Sequence, residues 1–275
     1  MSVQGPAEAW APPVGPPSPP APPVQSGSAA PGEGSGDGGP LTAYVWSTKS
    51  AVALLVLTLA LNLVAGFAAR SVLKVAWGAP IETLAVGAIL LLSYAVQLGT
   101  LWVVARRHGY RLTESVGLRG VTSPVAWFGS ALAAAATVRV FALLYSAFMI
   151  STGLKLQGWD SSPMRYFSPG PLGSALLVLI VVVVAPIVEE MVFRGVVLTS
   201  IRARWGDTVA IGASSFVFAA MHISLFSFLP IFAVAVVLSA LFIKSKSLWV
   251  SVACHSAFNG VGVVFLLVLR ARGVV

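Results

Sequence analysis

The sequence predicts an all-α fold: a polytopic bundle of about seven to eight transmembrane helices behind a disordered, Pro/Gly-rich N-terminal tail. Three observations lead to it. Hydrophobic residues make up 57% of the 275 positions and charged ones only 9%, with mean hydropathy +0.90; an ordinary soluble domain carries about 25% charged residues. Apolar runs near the ~20 residues needed to cross a bilayer alternate with short loops that hold most of the Lys and Arg. The first 40 or so residues are mainly Pro, Gly, Ala and Ser, as in Ala11-Pro12-Pro13-Val14-Gly15-Pro16-Pro17, and such a composition cannot bury a core.

The tail is taken as residues 1–44 and the transmembrane domain as 45–275. The tail lacks a basic segment followed by an apolar one, so it does not read as a signal peptide. A first span covers about Ser50 to Ala69, closed by Arg70 and Lys74, and its Asn62 suits a bond between helices. A second covers about Thr83 to Ala105, closed by Arg106, Arg107 and His108, and the loop on to Arg119 is the most basic in the chain. A third, about Pro124 to Ile150, contains Arg139, read as a counter-ion or a residue facing the cavity, with pairing to Glu190 or holding a substrate carboxylate as the alternatives. The 151–171 loop holds Trp159, Asp160, Arg165 and Tyr166, a mixture suited to a membrane interface. A fourth span covers about Leu172 to Ile201, with Arg202 and Arg204 after it. A fifth starts near Asp207 and includes His222, where a further short or re-entrant segment would also fit. The sixth, about Leu229 to Ile243, ends at Lys244 and Lys246; the seventh, Leu248 to Leu269, at Arg270 and Arg272.

The net charge of +8 therefore serves orientation and does not imply nucleic acid; the lipid bilayer is the implied partner. By the same rule the Arg106–Arg119, Arg202/Arg204 and Lys244/Lys246 loops face the cytoplasm, with the tail. The single cysteine, Cys254, excludes an intramolecular disulfide and reads as a small buried side chain.

Chemistry enters at Ala185-Pro186-Ile187-Val188-Glu189-Glu190-Met191-Val192-Phe193-Arg194. An ionised carboxylate in hydrocarbon costs about 2.5 kcal/mol or more, and intramembrane acids are functional by default. Helix neighbours point about 100° apart, so Glu189 and Glu190 serve different roles. Glu190 and Arg194 stand at i,i+4, acid first, the favourable order for a structural ion pair, which leaves Glu189 free. Pro186 removes a backbone N–H and frees a carbonyl one turn upstream.

Two further polar groups interrupt later spans: Phe218 to His222, and His255 with Asn259 on one helix face. Glu189 lies about 20 Å from Arg202 and His255 about 13 Å from Lys246, whereas His222 is about 27 Å from Arg204, too far by several ångströms unless the helix tilts or begins later. Together these groups suit amide hydrolysis. Desolvated Glu189 would take a proton from water held by His222, while His255 and Asn259 donate to the oxyanion. Zinc on Glu189, His222 and His255 is the other option, so the cofactor stays open between zinc and none.

The three motifs, Glu189-Glu190-x-x-x-Arg194, Phe218-x-x-x-His222 and His255-x-x-x-Asn259, resemble in content and order those of the CAAX prenyl endopeptidase and bacteriocin-processing (CPBP or Abi) membrane family. The resemblance covers about residues 172–269. It implies an intramembrane endopeptidase, described both as a metalloprotease and as a glutamate protease, acting on a membrane-associated protein or peptide. It also implies a bacterial cell membrane as location, Glu189 as catalytic glutamate, His222 as its partner, and His255 with Asn259 as the oxyanion site. The rivals are a bacteriocin-immunity scaffold or transporter without catalysis, and a rhomboid-like serine protease built on Ser214 and His255. The serine reading leaves Glu189, Glu190 and Arg194 unexplained.

Overall fold

The computed structural model describes residues 41–42, 46–73, 79–153 and 167–273, and among these every regular element is helical. The expected tail lies outside the described residues, as do Lys74, Trp159, Asp160, Arg165 and Tyr166. The helices are α1 (Thr48–Leu73), α2 (Ala79–Arg107), the short α3 (Leu112–Ser115) and α4 (Pro124–Thr152). A run of successive helical segments, bent at Gly206, then carries α5 (Pro171–Leu177), α6 (Ala185–Glu190) and α7 (Thr199–Ala220), followed by α8 (Leu225–Ser245) and α9 (Leu248–Ala271). Hydrocarbon offers backbone groups no water, and a helix satisfies them within one segment. Among the described residues six runs are long and apolar enough to cross a bilayer. Val56, Phe67, Leu144 and Val264 point outward from them, as a lipid-facing surface requires.

The run Pro171–Ala220 holds 50 residues, about 75 Å if straight, against a hydrocarbon core of about 30 Å. It reverses instead. Gly206 sits at φ 75°, ψ 179°, a region essentially reserved for glycine. Across the reversal Ser214 Oγ donates to Phe193 O at 3.2 Å, and the Phe193 and Phe218 rings meet edge to face, centroids 4.8 Å apart. Arg202 Nε and Asp207 Oδ1, 2.5 Å apart, bridge the bend. The fourth and fifth expected spans are thus two arms of one hairpin. The second arm, 207–220, is about 21 Å long and too short to cross alone. It ends in a turn where Ile223 takes φ 49°, a strained value for a β-branched residue. Ser224 then caps α8 by accepting from the Ser227 N–H, so α8 starts before the expected Leu229: a serine that resembles loop is in fact a cap.

Loop contacts sort the two ends of the bundle. Trp46 Nε1 donates to Ser115 O at 2.8 Å and the Leu248 N–H to Gly117 O at 2.9 Å. The start of α1, the 108–119 loop and the α8–α9 turn therefore share one end, with Lys49, Arg106, Arg107, Lys244 and Lys246. At the other end Arg270 Nη2 donates to Phe167 O at 3.1 Å. Between the ends, Ala131, Ala135, Val138 and Ala142 of α4 pack on Val234, Leu238 and Cys254 of α8 and α9, small residues that let backbones approach closely. The cross-helix bond between α1 and α2 is made by Thr58 Oγ1, donating to Gln97 Oε1 at 3.3 Å; Asn62 lines a cavity instead.

Candidate active site

A proline sets up the site. Residues Val178–Val184 and Met191–Leu198 adopt π geometry on either side of α6, with each N–H reaching back five residues. The Ala185 N–H bonds Ile180 O in this register. The next pair would be Pro186 with Val181 O, and proline has no N–H. Asn259 of α9 fills the place: its Nδ2 donates to Val181 O at 2.9 Å. The carbonyl freed by Pro186 is therefore closed by a side chain.

Glu190 and Arg194 are fully buried and paired, Nη1 to Oε1 at 2.8 Å. Arg194 Nη2 also donates to Ala235 O at 3.0 Å, and the guanidinium lies 4.7 Å from the Phe218 ring centroid. His255 Nδ1 stands 2.9 Å from the same Glu190 Oε1. Glu189, one residue earlier, faces the other way and its side chain keeps 22% exposure. Tyr94 of α2 donates its hydroxyl to Glu189 Oε1 at 3.3 Å, and Glu189 Oε2 lies 3.9 Å from His255 Nε2. That separation is beyond a direct hydrogen bond and leaves both atoms open to a third group.

His222 sits just past the end of the short hairpin arm, its Nδ1 2.8 Å from Phe218 O. A carbonyl only accepts, so this nitrogen carries the proton, and the ionised Glu190 imposes the same on His255 Nδ1. With Nδ1 as the donor in each ring, Nε2 is the nitrogen left to face the cavity. Phe218 touches both rings, with centroids 4.9 Å from His222 and 5.8 Å from His255.

Glu189, His222, His255 and Asn259 all line one cavity of about 350 Å³. A second, of about 210 Å³, reaches Glu189 and His222 from the α1–α2 side and is lined by Thr58, Asn62 and Gln97. Tyr94 borders both. Sequence reasoning missed Tyr94, whose one signal was a phenol inside an apolar span. Ser214 is almost wholly buried and its hydroxyl is spent on Phe193 O, a poor position for a nucleophile. Arg139 pairs with neither glutamate; it stacks on Phe258 and donates to Phe258 O. Among the described residues no three His, Cys, Asp or Glu side chains stand close enough to share a metal ion.

These features define a polytopic helical membrane protein with a carboxylate–imidazole site enclosed in its bundle. Residues 171–261 match the family model described as Type II CAAX prenyl endopeptidase Rce1-like, in agreement with the CAAX-type resemblance of the three motifs. The match runs from α5 into α9, containing Glu189, Glu190, Arg194, His222, His255 and Asn259 and leaving α1–α4 outside. It supports a membrane endopeptidase. No curated protein and no solved structure matches the chain.

Proposed function

We propose that this chain is an intramembrane endopeptidase in which Glu189 activates water to hydrolyse a peptide bond of a membrane-associated protein or peptide. The observation that supports it best is the single cavity bordered by Glu189, His222, His255 and Asn259. Glu189 Oε2 removes a proton from a water that donates its other hydrogen to His222 Nε2. The water oxygen attacks the carbonyl carbon. Asn259 spends one amide N–H on Val181 O and keeps the other for the oxyanion. His255 Nε2 receives the proton from Glu189 and, as an imidazolium balanced by Glu190, supports the oxyanion too. As the C–N bond breaks, the proton passes to the leaving amine. Glu190 and Arg194 hold His255 in this tautomer and take no part in bond making. The bilayer orientation we propose puts the end bearing Lys49, Arg106 and Lys244 in the cytoplasm.

The test is cleavage of a lipid-anchored peptide pool by the purified full chain in liposomes, read by mass spectrometry. Glu189→Gln keeps size and hydrogen bonding, and should lower the rate about 10²–10⁴-fold while the protein stays folded and inserted. Unchanged cleavage by that variant sinks the mechanism, and absence of cleavage by the parent favours a non-catalytic scaffold. A chelator arm decides the cofactor: loss restored by zinc would demand a metal-assisted water in place of the scheme above.

A further inference from the structure

Arg139 is the intramembrane charge that this reaction leaves unused, and it lies outside the family match. It stands midway along α4 and lines the same cavity as Glu189 and His255. Its guanidinium rests on the Phe258 ring, Cζ 3.8 Å from the centroid, and Nη2 donates to the Phe258 carbonyl. Both partners are neutral. Nε is buried and has no hydrogen-bond partner. Among the described residues no carboxylate comes within ion-pair distance of it, because Glu189 and Glu190 are engaged elsewhere. The approach is kept open by Gly262, where a Cβ would sit 3.1 Å from Nη2.

A positive charge inside hydrocarbon is costly unless it meets a negative one. Here ring and carbonyl hold it in place without neutralising it. The rest of this cavity is largely apolar, with Phe167, Ile180, Ile231 and Val234 on its walls. The shape therefore fits an apolar chain that brings one anion. Guanidinium geometry matches a carboxylate through two parallel N–H donors.

We infer that Arg139 is the anion subsite of this cavity and receives a carboxylate of the peptide substrate. The inference rests on the cavity being a peptide site. The carboxylate comes either from the peptide's C-terminus or from an acidic side chain near the scissile bond, and the two sources share one chemistry. In either case Arg139 selects and positions the substrate without touching the reacting atoms.

Binding tests this apart from turnover. The full-length Glu189→Gln variant in nanodiscs is titrated with three N-palmitoylated tripeptides: Ala-Val-Leu with a free C-terminal acid, its C-terminal amide, and the amide of Ala-Glu-Leu. The first or third should bind at least tenfold tighter than the second, and which one does names the source. Adding Arg139→Gln should reduce that preference to within twofold, whereas Arg139→Lys should keep part of it. Equal binding of all three peptides, or a preference that survives Arg139→Gln in protein with an unchanged thermal transition, overturns the subsite. If the parent cleaves the peptides without discriminating among them, the subsite fails and the peptidase reading stands. If they bind with discrimination and the parent never cleaves, the reverse holds.

Discussion

Replacing Arg194 by alanine strips a fully buried carboxylate of its counter-ion. Glu190 would keep the His255 Nδ1–H bond and lose the 2.8 Å guanidinium contact. Breaking one side of a buried pair costs about 3–5 kcal/mol. The bond to Ala235 O adds about 1 kcal/mol, and the contact with the Phe218 ring about 0.5–2 kcal/mol. Against a total stability of about 5–15 kcal/mol this is a large share. At about 2–4 °C per kcal/mol for a domain of this size, these costs together should lower the thermal midpoint by about 9–32 °C. Yield of folded protein from membranes should fall with it. The assay is a melting curve of the purified variant in one detergent, paired with Glu190→Gln/Arg194→Met. Removing both charges leaves no orphan, so the double variant should recover much of the loss. An Arg194→Ala midpoint within 2 °C of the parent, or a double variant no better than the single, would refute the reasoning.

Three other outcomes are open to measurement. Gly206→Ala forces a side chain into φ 75°, ψ 179° and should cost about 1–3 kcal/mol, read as a lower thermal midpoint. Asn259→Ala exposes the Val181 carbonyl that Pro186 leaves without a donor; it should cost about 1–3 kcal/mol in stability and about 10²–10³-fold in turnover, so stability with lost activity alone would argue against its backbone role. Ser214→Ala removes one buried hydrogen bond, should cost about 1 kcal/mol and should leave cleavage intact, whereas a serine mechanism needs it to be inactivating.

Much of this was legible in the residues. Hydropathy marks the apolar runs, because in lipid such a run has no other stable form than a helix, but it does not show that the arms around Gly206 form one hairpin or that Ser224 caps α8. The i,i+4 spacing of Glu190 and Arg194 needs only helix geometry. The height of His222 was not legible when counted from Arg204. Measured from the bend itself, Glu189 lies 17 residues before Gly206 and His222 16 after it, and the two come level. The contact of Asn259 with Val181 depends on a π register, set by packing around Pro186 rather than by composition. Tyr94 on Glu189 is likewise a long-range pairing: nothing within α2 marks that phenol as different from one facing lipid. The same holds for Arg139, whose neutral partners belong to a helix more than a hundred residues away.

The near-equal arms about Gly206 also set a rule for how such a chain tolerates length change. Removing one residue from either arm shifts that arm's polar group by about 1.5 Å and swings it about 100° around the helix axis. A single deletion between 190 and 205 would turn Glu189 toward packed side chains while His222 stayed where it is. Loss of a matched residue from each arm would restore level but not facing, since both groups would still have rotated. Changes of about seven residues, close to two whole turns, return a side chain near its original direction, but these move it about 10 Å in depth. The hairpin therefore behaves as a gauge of fixed length. Natural variation in this region should consist of substitutions, with insertions confined to the loops beyond the bundle.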